Sequence, residues 1–152
     1  MLEGFINSLL EKNSLAHRLL SSLNFYIVPM INPDGVTAGN YRTSFSGRDL
    51  NRSFCSLGNF LYPELNGLID LLKKFRAQRK KVEFFLDFHS HSSKKNLFCY
   101  GPEHQEGTLH YFRSRILVKI LQKQSTMFNS NQCNFKISEY KKGTARAYML
   151  KK

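Results

Sequence analysis

The chain has 152 residues, which fits one domain, and 41% hydrophobic with 13% aromatic content excludes a disordered protein. Its formal net charge is +12, which draws in an acidic partner, whether nucleic acid, an anionic membrane or an acidic peptide, without choosing among them. The cysteines Cys55, Cys99 and Cys133 form no CxxC pair, the opening residues carry no secretory signal, and no apolar run is long enough for a bilayer. These features predict a reduced, soluble, cytoplasmic chain without a zinc–cysteine site.

Leu2, Phe5, Ile6, Leu9 and Leu10 recur at helical spacing, so the chain opens on an amphipathic helix. Leu15, Leu19 and Leu20 predict a second short helix with Ser14 as its N-cap. The run Asn24 to Met30 is apolar, aromatic and β-branched, and reads as a buried strand. From Ile31 to Asn59 the periodicity stops. Asn32-Pro33-Asp34-Gly35 is a turn signal, and a long Gly-, Ser-, Asn- and Arg-rich loop follows, of a kind that is usually functional or disordered.

Pro63 opens a helix with Leu65, Leu68, Ile69, Leu72 and Phe75 on one face, and cations crowd its C-terminal end, where the helix dipole favours them. Val82 to Phe88 reads as a second buried strand and Asn96 to Tyr100 as a third. Leu109, Phe112, Ile116, Leu117, Ile120 and Leu121 mark another amphipathic helix, and Asn134 to Ser138 a fourth strand. The tail from Lys141 is basic and expected to be loose at its end. Strands alternating with helices give an α/β pattern, with no repeat and no linker.

Two clusters carry chemistry. The first, Asn32 to Arg52, holds Arg42 and the run Asp49-Leu50-Asn51-Arg52. An arginine presents a planar fork that matches a carboxylate, but a solvated basic loop shaped by turn residues has the same composition. The second is Asp87-Phe88-His89-Ser90-His91-Ser92, followed by Lys94-Lys95-Asn96. A histidine at the end of a buried strand suits a metal ligand, and equally an exposed loop histidine or a core histidine with its hydrogen bonds satisfied.

Taken in order, NPDG, GNYR, DLNR and a strand ending in DFHSHS with KKN behind it resemble the cytosolic carboxypeptidases, a branch of the zinc-dependent M14 carboxypeptidases. The resemblance runs from the opening helix to Gly143-Thr144-Ala145-Arg146. It implies a partial carboxypeptidase-like α/β fold, a central mixed β-sheet flanked by helices, with residues 1–152 as the central portion of the catalytic domain, truncated at both ends.

The resemblance also implies roles. His89 matches a zinc ligand, Asn51 and Arg52 the pair that holds the substrate's C-terminal carboxylate, and Arg42 the arginine that polarises the scissile carbonyl and steadies the oxyanion. Asp49 matches the acidic partner of a zinc-binding histidine. Zinc is the implied cofactor of the full-length enzyme, and the implied substrate is an acidic C-terminal tail, tubulin's among them. The family's HxxE zinc motif is absent from these residues, and its catalytic glutamate is not reached, so one of three protein ligands remains. The chain by itself is therefore expected to be inactive. Two further readings are a non-catalytic relative that binds acidic C-termini through Arg42, Asn51 and Arg52, and a basic nucleic-acid-binding module. The second lacks any RRM or zinc-finger fingerprint.

Overall fold

Asn13 starts the second helix of the chain. Its side chain accepts a hydrogen bond from the Ala16 N–H at 2.8 Å, so Asn13, not Ser14, is the N-cap. The computed structural model, which describes residues 1–56, 58 and 60–151, places α1 at Leu2–Leu10 and α2 at Ser14–Ser22, packed on each other. Leu57 and Asn59 of the expected loop, and Lys152 of the tail, lie outside the described residues.

α3 (Pro33–Thr37) is a short helix inside the expected loop, and a single 3-10 turn, Leu50–Arg52, closes that loop. α4 (Pro63–Ala77) begins on its proline, whose missing N–H costs nothing at a helix start. α5 is Leu109–Gln124, capped by the Thr108 side chain on the Tyr111 N–H at 3.2 Å. Two more 3-10 turns, Ser130–Gln132 and Glu139–Lys141, precede α6 (Ala145–Leu150). Ala145 and Ala147 of the basic tail are buried in α6, while Lys151 near its end is exposed.

The core sits where α4 meets the Leu50–Arg52 turn and α6. Leu50, Phe54, Tyr62, Leu65, Ile69 and Ala145 are buried together, with Leu68, Leu72, Phe85 and Tyr148 packed against them. The heptad-like spacing of α4 explains its share, because Leu65, Ile69 and Phe75 fall on one face and are buried. α5 behaves differently. Only Val118 is buried on it, and Leu109, Phe112, Ile116 and Ile120 stay exposed along one side.

The expected α/β architecture with a central mixed sheet is not what the chain adopts. Among the described residues, strand pairing is limited to two isolated parallel bridges, Leu97 with Phe128 and Tyr100 with Asn134. These join the third expected strand to the region of the fourth. The runs Asn24 to Met30 and Val82 to Phe88 pair with nothing in a ladder among the described residues, and Tyr26, Val28, Met30, Phe84, Leu86 and Phe88 are exposed. The physical reason is that a helix closes its hydrogen bonds within its own segment, whereas a strand takes them from another. β-branched and aromatic composition reports a fit to a pleated, half-buried surface and does not supply the neighbour. Phe5 of α1 stands 6.0 Å from Phe25 and 6.0 Å from Phe88, so side-chain packing alone brings α1 to both runs.

Candidate functional site

The first cluster is shaped by its turn residues. The Asn32 side chain accepts from the Gly35 N–H at 3.0 Å and donates to the Thr43 carbonyl at 3.2 Å, while the Asn40 amide donates to the same carbonyl at 3.3 Å. A Cβ on Gly35 would run into Asn32 and the Thr43 carbonyl, so only glycine admits this approach. These bonds set the backbone that carries Arg42.

The Arg42 Nε donates to Asp49 Oδ2 at 2.7 Å, and the Asp49 Oδ1 accepts from the Asn51 N–H at 2.8 Å. Asp49 is thereby the N-cap of the 3-10 turn, and Arg52 Nη1 lies 3.9 Å from its Oδ2. Leu50 and Phe54 insert into the core on either side, which turns Asn51 and Arg52 to the surface. Arg52 Nη1 is further held by the Asn51 carbonyl at 2.7 Å.

Asn51 is the hub. Its Oδ1 accepts from the Ala145 N–H at 2.9 Å, and its Nδ2 lies 3.1 Å from His89 Nε2. The residues singled out around positions 42–52, 89 and 143–146 therefore share one neighbourhood, although they are far apart in sequence. The backbones run close there: Phe54 N–H donates to the Gly143 carbonyl at 3.0 Å, and a Cβ on Gly143 would strike the Arg52 carbonyl.

His89 Nε2 also lies 3.0 Å from Asp87 Oδ2. One ring nitrogen thus faces two groups. It accepts from the Asn51 amide when it is bare and donates to Asp87 when it carries a proton. The Asp87 hydrogen bond raises the His89 pKa above its ordinary value, burial acts against this, and the charges of Asp87 and Asp49 add to the rise while Arg42 lowers it. The carboxylate on the His89 ring is that of Asp87, and Asp49 spends its oxygens on Arg42 and the Asn51 backbone.

Asp87 was named in the second cluster but given no role. The signal was present, because an Asp two residues before a His on an extended run projects to the same side. Arg146 also lacked a role. It clamps the backbone, donating to the carbonyls of Gly101 at 3.0 Å, Asn134 at 2.9 Å and Lys136 at 3.2 Å. His91 serves its turn, its Nδ1 accepting from the Lys94 N–H at 3.0 Å. The Lys94 ammonium donates to the Gln132 carbonyl at 2.9 Å and lies over the rings of Phe98 and Tyr100.

The chain matches the profile of the zinc carboxypeptidases, peptidase family M14, over residues 1–150. This chain belongs to that family. It is 36% identical over 150 residues to cytosolic carboxypeptidase 2 of Danio rerio, covering 98% of this chain and 21% of the relative. It is 35% identical over 150 residues to cytosolic carboxypeptidase 2 of Mus musculus, covering 98% and 17%, and 35% identical over 153 residues to cytosolic carboxypeptidase 3 of Bos taurus, covering 99% and 15%. The chain thus spans about a fifth or less of the length of these relatives, and within M14 it is of the cytosolic carboxypeptidase type.

The family implies zinc, and the residues present do not complete a site for it. Among the described residues no three His, Cys, Asp or Glu side chains converge to hold a metal ion. Around His89 the donors at hand are one imidazole and the Asp87 carboxylate that bonds to it. A catalytic zinc shell takes three protein ligands. No helix among the described residues is long and apolar enough to cross a membrane.

Proposed function

We propose that this M14 chain supplies the carboxylate-recognition side of a carboxypeptidase site, with Arg42, Asn51 and Arg52 meeting the C-terminal carboxylate of an acidic peptide. The observation that supports this is the Asn51 side chain, bonded at once to His89 and to the Ala145 backbone, which holds a guanidinium-bearing turn beside the expected zinc ligand. Arg52 is part-buried and Arg42 stays 56% exposed, so both forks have access to a ligand. Fixed cations of this kind bind a carboxylate in the ground state and, at the scissile carbonyl, oppose the negative charge that develops there.

In a protein where these residues stand with a full zinc shell and a general base, the reaction is removal of C-terminal residues, glutamates on acidic tails such as tubulin's, in the cytoplasm. Zinc would there polarise a water molecule. His89 is the residue of this chain that would hold the metal, with Asp87 orienting its ring. The +12 charge favours an acidic substrate.

The test is binding and turnover by the purified chain. A peptide ending in several glutamates with a free C-terminus binds, the same peptide amidated at its C-terminus binds at least about tenfold more weakly, and Arg52→Ala removes the difference. Equal affinity for the two peptides would overturn carboxylate recognition. The chain alone releases no glutamate, and chelator-sensitive release would overturn the reading of an incomplete metal site.

A further inference from the structure

Two thiols outside the candidate site lie side by side. Cys99 and Cys133 are both half-buried, and their Sγ atoms are 3.8 Å apart. The Cys99 N–H points at Cys133 Sγ, 3.3 Å away. The segments that carry them are fixed to one another on both sides. Leu97 N–H donates to the Met127 carbonyl at 3.0 Å and the Leu97 carbonyl accepts from Asn129 N–H at 2.7 Å. Beyond the pair, Asn134 N–H donates to the Cys99 carbonyl at 3.1 Å and Gly101 N–H to the Asn134 carbonyl at 3.1 Å. The isolated bridges Leu97–Phe128 and Tyr100–Asn134 are thus a two-sided frame around the thiols.

We propose that Cys99 and Cys133 are a dithiol site that closes to an intramolecular disulfide when a low-molecular-weight disulfide such as oxidised glutathione is present. A disulfide needs its sulfurs about 2.05 Å apart. The remaining approach is less than about 2 Å, within the reach of χ1 adjustments on a frame that already holds the backbones together. In the first step one thiol gives up its proton and attacks a glutathione sulfur, forming a mixed disulfide and releasing one reduced glutathione. In the second step the other cysteine sulfur, also as thiolate, attacks the protein sulfur of that mixed disulfide, and the second reduced glutathione leaves. The two cysteines are oxidised, the glutathione disulfide is reduced to two thiols, and the two protons end on these.

Burial first, and then the neighbouring Cys133, push the Cys99 thiol up to about 12. Near neutral pH Cys99 therefore rests as a thiol, and the exchange runs at the slow end of the seconds-to-hours range. The link would close the loop that contains α5. It would also lock the frame whose Gly101 and Asn134 carbonyls receive Arg146, next to the turn that holds Asn51. Oxidation thereby stiffens the support of the candidate site without using any of its residues.

The whole chain is incubated in its native state with rising ratios of oxidised to reduced glutathione, then alkylated in denaturant, digested and read by mass spectrometry. The expected product is one cross-linked peptide pair carrying Cys99 and Cys133, lighter by two hydrogens, with Cys55 recovered alkylated or as its glutathione adduct. Cys55→Ser keeps the cross-link. Cys133→Ser abolishes it, with Cys99 recovered alkylated or as its glutathione adduct. Recovery of both Cys99 and Cys133 as alkylated or glutathione-bearing peptides at every ratio would overturn the proposal. So would all three cysteine pairings in similar yield, which marks exchange in an unfolded chain.

Discussion

The Asn51 side chain uses both of its ends, one on the Ala145 backbone and one on His89. Ala145 is only 3% exposed, so water cannot easily replace the lost acceptor if Asn51 is changed. Asn51→Leu keeps the size and removes the acceptor, and is expected to cost about 1–3 kcal/mol, a melting temperature lower by about 2–10 °C. Asn51→Asp retains an oxygen for the Ala145 N–H and should recover most of that loss, and thermal unfolding of the three chains compares them. The cysteines give a second residue-scale expectation. Cys55 is exposed, while burial holds Cys99 as a thiol with its pKa pushed up to about 12. Iodoacetamide at neutral pH on the native, reduced chain should therefore label Cys55 well before Cys99, with peptide mapping over time as the measurement.

Among the elements, α4 holds the core and α5 leaves its apolar side open. Leu65 is fully buried, so Leu65→Ala removes packed atoms and leaves a cavity, at a cost of about 2–5 kcal/mol. Ile116 on α5 is 53% exposed, and Ile116→Ala should change stability by no more than about 0.5 kcal/mol. Two glycines separate in the same way. Gly67 lies within α4 with open space around its missing Cβ, so Gly67→Ala should stabilise by about 0.5–1 kcal/mol. Gly143→Ala meets the Arg52 carbonyl and should destabilise by about 1–3 kcal/mol. Denaturant midpoints of the four variants test both contrasts. The asymmetry also explains what the sequence could tell. Helices α1, α4 and α5 were legible because their bonds and their periodicity are local. The runs at 24–30 and 82–88 were misread as sheet strands because their composition suits a pleated surface whose other strands are not in the segment itself. Within the candidate site, the spacing of Arg42, Asp49, Asn51, Arg52 and His89 was visible. The bond between Asp87 and His89, and the grip of Arg146 on three carbonyls, depend on contacts that spacing does not encode.

For the molecule as a whole, two opposing surface properties decide its behaviour in solution. Phe84, at 64% exposed, and its neighbours Leu86 and Phe88 form an apolar run without a ladder partner among the described residues. Such a run is a template on which a second chain can pair. Against this stands the formal net charge of +12, which makes two copies repel. The repulsion acts over the Debye length, about 10 Å at 0.1 M salt and about 3 Å at 1 M, whereas apolar contact does not weaken with salt. Raising sodium chloride should therefore drive association: the hydrodynamic radius from light scattering increases between about 0.05 and 0.5 M. The paired substitution Phe84→Gln and Leu86→Gln leaves the charge unchanged and removes apolar area, so its radius should stay at the low-salt value. A radius that is constant with salt in the unsubstituted chain would mean that these residues are covered in solution, and association of the glutamine variant at the same salt concentration would place the sticky surface elsewhere, with the open side of α5 the next to substitute.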